Sequence, residues 1–408
     1  MKYSLLLFFF AISLTKSFSQ KTNSKDYFPS AQIWEKRLPA ESGFDTAKLN
    51  DAIRFAIANE TKQPRDMELS QQIDRRQEPF NYGIGPFKER GEPTGVVIHH
   101  GYIIAEWGEP SRIDMTHSVT KSFLSTVIGV AVDHQLIHST GDTVANYIPP
   151  IELYDPFASN TGVSEYEKEE LLYPFAGEHN SKLTWEVMLR QTSDWEGTLW
   201  GKADWADRPD AADPNKWLNR KRNEPGTVWE YNDVRVNALA LAATSVWRKP
   251  LPQVLKEYIM DPIGASNTWR WYGYRNSWIV LDGMPVQSVS GGGHWGGGMF
   301  INAYDMARFG LLTLHKGNWN VKQLVSEKWI LQSLTPTTAE PTYGYMNFFL
   351  NSGLKKYLPS APATAFVHVG NGTNIIYVDP DHDLVMVVRW IDGSAVDSMI
   401  KRVLNALK

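Results

Sequence analysis

Residues 119–133 read VTKSFLSTVIGVAVD, an almost unbroken apolar run of helical length. A helix that is apolar all round has no side to give to water, so it has to lie inside a domain with other elements wrapped about it. At 408 residues the chain has enough length to supply that wrapping as a large core in two or three lobes. It contains no cysteine, so packing alone has to hold those lobes together.

The first residues point to export. Lys2 precedes an apolar run from Leu5 to Leu14, followed by the small residues Ser17 and Ser19, with Gln20 as mature start. This run is shorter than the roughly 20 apolar residues that span a bilayer, and no later stretch reaches that length. Residues 1–19 therefore read as a signal peptide, and the destination as secreted or periplasmic, with no membrane span. The missing cysteine also excludes a lipid-modified N-terminal cysteine. The formal charge is -4, and loss of residues 1–19 removes Lys2 and Lys16 but no acid. An acidic chain without a concentrated basic face is not a nucleic-acid binder, and the short cluster Arg220 to Arg222 reads as solvated surface. Nothing in the sequence sets the oligomeric state.

Residues 20–42 form a polar lead-in, and the apolar spacing of Leu49, Ile53, Phe55 and Ile57 predicts an amphipathic helix over 45–60. Two apolar strands over 95–107 meet at His100-Gly101, a hairpin signal. From about 140 to 280 the pattern reads as mostly helical, broken by Pro, Gly and Asp-rich loops. Strands return at 366–369, 374–378 and 384–390, and an amphipathic helix over 395–407 ends the chain. Asp379, Asp381 and Asp383 lie in a hairpin turn rather than a calcium loop, and His134 and His138 lack a third ligand, so no metal site is assigned. The fold class is α+β, one domain over 43–408. Its α/β part comes from about 43–117 and 284–408, and a mainly helical lobe of about 118–283 is inserted between them. Such a split leaves a cleft between the lobes, where ligand sites form.

The candidate chemistry begins with S-x-x-K, which occurs at Ser13, Ser118, Ser352 and Ser398. Only Ser118 opens a long apolar helix, at the positive end of the helix dipole, with Lys121 one turn on and on the same side. The plain alternative is a capping serine and a snorkelling lysine. A second motif, PGTVWEYND over 225–233, delivers Tyr231 from a loop ahead of another apolar helix. Lysine and tyrosine are both protonated at neutral pH, but side by side they can exchange one proton, with either as the base. The third element is His368-Val369-Gly370-Asn371 on a late strand. There Gly370 permits close approach of a substrate, the Asn371 amide joins that of Ser118 as an oxyanion donor, and His368 faces the cleft. Taken alone, such a histidine reads as a hydrogen-bonded strand residue.

The order S-x-x-K, then Y-x-x after PGTVWEY, then H-x-G resembles the serine β-lactamase and penicillin-binding-protein superfamily, notably its class C-like branch of esterases and peptidases. Val144 to Pro149, Leu183 to Thr192 and Gly291 to Gly310 extend the resemblance over roughly 43–408. It implies an antiparallel sheet flanked by helices, a helical lobe, an acyl-enzyme on Ser118, and neither metal nor organic cofactor. Two departures bear on the substrate. Asp233 stands where the tyrosine motif usually has asparagine, and cannot donate to an acylamide carbonyl; pointing into the cleft, it would favour protonated Lys121 and receive an ammonium or hydroxyls. His368 stands where β-lactamases have lysine, a weaker anchor for a carboxylate. The leading expectation is an esterase or amidase acting on a small-molecule ester or amide. A D-amino-acid-type peptidase, DD-carboxypeptidase or oligoamide hydrolase is the second, and a β-lactamase the third, though inefficient with β-lactams. A fourth is a non-catalytic binding protein using Trp195, Trp200 or His294 for wall fragments or sugars.

Overall fold

The computed structural model describes residues 27–156, 171–209, 218 and 220–408. The signal peptide expected over 1–19 lies outside the described residues.

The late strands and the early hairpin join in one sheet. Strands β1 (Thr94–His99) and β2 (Tyr102–Trp107) turn at His100 and Gly101, both with positive φ (49° and 80°), as a two-residue hairpin loop requires. Helix α1 (Thr46–Ala58) precedes them, capped by the Asp45 side chain on the N–H groups of Ala47 and Lys48. After α1 a long connection carries helix α2 (Met67–Asp74) before the chain enters β1. The short strand β3 (Asp114–Met115) leads through a 3-10 turn, His117–Val119, into α3 (Thr120–Asp133). In the middle of the chain lie α4 (Trp185–Leu189), α5 (Asp233–Trp247), and the hairpin of β4 (Arg270–Leu281) and β5 (Met284–Val289). Then come β6 (Gly298–Ile301), α6 (Ala303–Leu314), β7 (Phe348–Leu350), β8 (Phe366–Gly370), β9 (Asn374–Asp379), β10 (Leu384–Arg389) and α7 (Val396–Leu404).

The main sheet runs β7-β8-β9-β10-β1-β2, antiparallel at every pairing. Alternate residues along each strand serve two separate cores. Val97, Tyr377, Met386 and Val388 meet α1 and α7 through Leu49, Ala56, Ile400 and Val403. Val96, Ile98, Ile376, Val385 and Val387 meet α3 and α6 through Phe123, Val127, Met306 and Phe309. With both sides covered, every residue of β1, β9 and β10 is buried, so these strands read as continuous apolar runs instead of alternating ones. Helix α3 is buried from Thr120 to Ala131, as its sequence demands.

A second sheet, β3-β6-β4-β5, departs from the expectation of a mainly helical stretch up to 283. Arg270–Leu281 reads RWYGYRNSWIVL, rich in aromatic and β-branched side chains suited to a half-buried strand, and Asp282-Gly283 closes it on β5 with φ of 54° and 78°. The Asp-Gly pair is a strong hairpin signal that a reading based on helix breakers passes over.

Phe123 of α3 stacks on Phe309 of α6 with ring centroids 4.2 Å apart, tying the apolar helix to the sheet. Phe123→Ala is expected to lower unfolding free energy by about 3–5 kcal/mol in urea titration, while Ile57→Ala on the exposed side of α1 costs under about 1 kcal/mol. Equal effects at the two positions would contradict this placement of the core.

Candidate active site

Ser118 sits in the 3-10 turn ahead of α3, and the residue before it, His117, has a left-handed backbone (φ 49°). That conformation is costly for a side chain with a Cβ and persists only where the surroundings impose it. Here the turn is pressed against the end of β8: a Cβ on Gly370 would strike the Thr116 carbonyl and lie 3.3 Å from the Ser118 nitrogen. Gly370 is thus required by the serine's own turn, whereas the sequence suggested approach of a substrate. Ser118 remains partly exposed, while Lys121, one turn on, is fully buried with Nζ 2.8 Å from Ser118 Oγ.

Tyr231 arrives on the loop ahead of α5. Gln191 grips that loop twice, its carbonyl accepting from Glu230 N at 2.9 Å and its Oε1 from Asn232 N at 2.8 Å. The Tyr231 ring lies 4.5 Å from Lys121 Nζ, and its hydroxyl hydrogen-bonds Ser118. Burial and the nearby Asp233 push the phenol well above its ordinary range, so it rests protonated. Arg220 and Arg222, read from sequence as solvated surface, belong instead to an ion network with Asp194, Asp204, Glu230 and Arg235 that braces the same loop. Burial opposes ionisation of Asp194, but bonds from Arg220, Arg235 and the Asn223 N–H outweigh it and hold the carboxyl down at about 2.

Asp233 opens α5 beneath Lys121, pairing with Nζ at 2.6 Å through one oxygen and with Arg208 Nη2 at 2.8 Å through the other. Burial would raise this carboxyl, but Lys121 and Arg208 hold it far below the carboxylate range. It is therefore saturated and buried, and does not point into the cleft to receive a substrate ammonium, as its position in the motif had suggested. Burial pulls Lys121 below the usual lysine range, against the opposing pull of Asp233. Gly292 makes room for the pair, because a Cβ there would overlap both Asp233 Oδ1 and Lys121 Nζ.

The charges continue outward. Arg208 also bonds Asp207 at 2.6 Å and donates to His294 Nδ1 at 2.9 Å. A guanidinium can only donate, so Nδ1 is the acceptor, and the ring's proton is on Nε2, which gives it to Glu78 at 2.7 Å. Glu78, Asp207 and His294 bring ligand-type atoms within 4.8 Å of one another. Both ring nitrogens are already committed and two arginines stand alongside, so the group is a hydrogen-bond cluster with no room for a cation. His294 is buried in it and is not a substrate contact. Burial, reinforced by Asp207 and opposed by Arg75 and Arg208, pushes Glu78 up to about 7.

A cavity of about 800 Å³ opens over Ser118, bordered by Tyr231, Trp229, Gly370 and Asn371, and by Gln63, Arg75 and Arg208. Asn371 is steadied by Gln63 at 3.0 Å and Asp74 at 3.3 Å. His368 does not reach this space: it points to the opposite side of β8, bonds Ser122 Oγ at 2.9 Å and lies among Phe309, Phe348 and Phe366. Burial pushes its imidazole down to about 3, so it is neutral and anchors no carboxylate. Trp195 and Trp200 are core residues, with Trp195 Nε1 donating to Pro174 O, and neither borders the cavity. The sequence reading missed Gln63, Arg75, Glu78, Gln191, Asp207 and Arg208. All stand in loops or at a helix end, and all but Gln191, which falls in the segment Leu183 to Thr192, lack a motif to mark them.

The β-lactamase family model matches residues 96–390. The chain belongs to the β-lactamase family. Among curated proteins no sequence matches it. Several solved structures share the fold of this β-lactamase-family hydrolase. EstCE1, a hydrolase with promiscuous acyltransferase activity, has TM-score 0.54 at 14% identity, over 88% of this chain and 98% of its own. A family VIII carboxylesterase has TM-score 0.53 at 17% identity, over 92% of this chain and 100% of the other. A penicillin-binding protein homologue from Caulobacter crescentus has TM-score 0.51 at 14% identity, over 77% and 92%.

Glu78 faces Arg75 from α2, Asp207, Arg208 and Lys202 from the central lobe, Asp233 from α5, and His294. An acid pushed up in the fold binds its proton more tightly there than in the unfolded chain. Stability from this group is therefore full below its ordinary 4.5 and lost as pH rises through about 7. Glu78→Gln keeps an acceptor for His294 but does not titrate. Relative to wild type it should gain on the order of 2 kcal/mol between about pH 5 and pH 8 in urea unfolding. Parallel pH curves for the two proteins would refute the assignment.

Proposed function

We propose that this protein is a secreted serine hydrolase that forms an acyl-enzyme on Ser118, acting as an esterase or amidase on a small acyl substrate. The observation that carries this reading is the contact of Lys121 Nζ with Ser118 Oγ at 2.8 Å, on the floor of a cavity that also receives Tyr231. Lys121 rests as an ammonium on Asp233 and gives up a proton more easily than an ordinary lysine because it is buried; in the amine form it takes the proton of Ser118 as Oγ attacks the acyl carbon. The backbone N–H groups of Ser118 and Asn371 face the developing oxyanion, a contribution of roughly 3 kcal/mol per donor. Tyr231, resting as a phenol, hands its proton to the leaving group and is reprotonated by Lys121. Water then attacks the acyl-enzyme by the reverse proton path and frees Ser118.

Asp233 gives the second reading no support. That reading gave Asp233 the role of meeting a substrate amine, and this carboxylate is engaged by Lys121 and Arg208. Export belongs to the same proposal and rests on the charged and apolar pattern of residues 1–19.

Ser118→Ala is expected to reduce hydrolysis of p-nitrophenyl butyrate by more than about a thousandfold and to abolish labelling by a fluorophosphonate probe. Ester hydrolysis at an undiminished rate in that variant would rule out Ser118 as nucleophile. Tyr231→Phe should slow turnover by about a hundredfold or more in stopped-flow assays, since the leaving group then lacks its proton donor.

A further inference from the structure

The connection between α1 and β1 forms a wall of the cavity. Thr61 N bonds the Trp390 carbonyl at 2.9 Å, and Ile84 and Gly85 bond the Trp295 carbonyl at 3.0 Å, so the segment is fastened to the rest of the fold on both sides of Arg75. Within it, Arg75 ends α2. Its backbone N–H donates to Gln71 O at 3.0 Å, and its carbonyl accepts from Glu78 N at 2.8 Å and Asn81 Nδ2 at 3.2 Å. The main chain is thus pinned, and the side chain is presented to the cavity that Ser118 borders.

The guanidinium at this position is under-satisfied. Among the described residues its one side-chain bond is a long one, Nη1 to Glu78 Oε1 at 3.4 Å, and Nε is buried without a partner. Arg208, which borders the same cavity, is by contrast bonded to Asp207, Asp233 and His294. The other charged group on the lining, Asp397, is occupied by the N–H and hydroxyl of Ser360. A half-buried cation with free donors beside a reactive serine is stabilised by an anion from outside, and a planar fork of N–H groups fits a carboxylate best. We propose that Arg75 is a specificity-determining residue that binds a carboxylate of the substrate, so that the preferred ester or amide is anionic. His368, buried among phenylalanines, is unable to fill that role.

Further features of the wall suit such a substrate. Burial, then the neighbouring Arg208, weaken the hold of Arg75 on its proton, with Glu78, Asp207 and Asp233 pulling the other way. Glu78, its one hydrogen-bonding side-chain partner among the described residues, takes up a proton near neutral pH and so yields to an incoming anion. The same cavity is also lined by Trp229, Phe349, Tyr357 and Val369, an apolar surface for the carbon chain of such a substrate.

This inference concerns the substrate of the serine-hydrolase site proposed above, and the test separates the two. Turnover is compared for mono-p-nitrophenyl glutarate and the neutral p-nitrophenyl pentanoate. The wild type is expected to favour the anionic ester at least about tenfold in kcat/KM, and Arg75→Gln to erase that ratio, with Arg75→Lys keeping part of it. A purely structural role would move both esters together and leave the ratio intact, which would overturn the proposal. Binding of glutarate to the Ser118→Ala protein, measured by calorimetry, needs no turnover. Affinity at least about tenfold weaker in the Arg75→Gln, Ser118→Ala double variant supports the anchor even where no ester is hydrolysed, an outcome that would defeat only the serine-hydrolase reading. Equal affinity in the two proteins, or no binding to either, overturns the anchor.

Discussion

A lysine ammonium with no exposure to water is tolerable only where a carboxylate meets it, and the ion pair of Lys121 with Asp233 is the constraint on which this site depends. Taking two charges out of water costs several kcal/mol per ion unless their remaining donors and acceptors are also satisfied. Each neighbour can be understood as a response to that requirement. Arg208 takes the second oxygen of Asp233, Asp207 and His294 orient Arg208, and Glu78 fixes the tautomer of His294. Gly292 leaves the space in which the pair sits. Removing Asp233 would strand a buried cation, and removing Lys121 would leave Asp233 and Arg208 paired but the serine without its amine.

The sheet performs a different task. Because both of its sides are covered, β8 is held between two cores and its end cannot shift relative to the turn that carries Ser118. That is why the carbonyl of Thr116 can lie where any residue larger than glycine would put a Cβ. The distance between the serine and the strand end is set by packing on both sides of the sheet, at interior density, rather than by a flexible loop. A reacting group placed in this way needs little reorganisation when an oxyanion develops beside it.

What the sequence made legible follows from this division. The strands of the main sheet and α3 could be read because their apolar runs have one purpose, burial, and period and length reveal it. Ser118, Lys121 and Tyr231 could be read because two of them share a helix face and the third precedes an apolar helix. Asp233 was visible, but its partner Arg208 stands 25 positions earlier in a loop, so its saturation was not. His368 was assigned to the cleft on motif order alone, although on a strand buried on both sides either direction leads into a core unless the residue lies at the rim. Arg75 carries no spacing signal at all. It is brought to the cavity by a connection whose course depends on distant bonds from Thr61 to Trp390 and from Ile84 and Gly85 to Trp295.

Chemistry and recognition thus arise from different parts of the chain. The reacting groups stand on elements whose positions the cores dictate, and substitutions among them disturb the fold as well as the site. Strands β7 and β8 line the cavity with Phe349 and Val369, while Arg75 and Tyr231 stand on the connection after α1 and on the loop before α5, outside the main sheet. Such segments can change at little cost to stability, because few of their side chains enter a core. With His368 turned into a core, charge recognition at the cavity falls to the connection after α1, which leaves the distance from Lys121 to Ser118 unaltered. A change in the charge a substrate must carry can therefore be made on that connection, while the buried ion pair and the serine turn stay as they are.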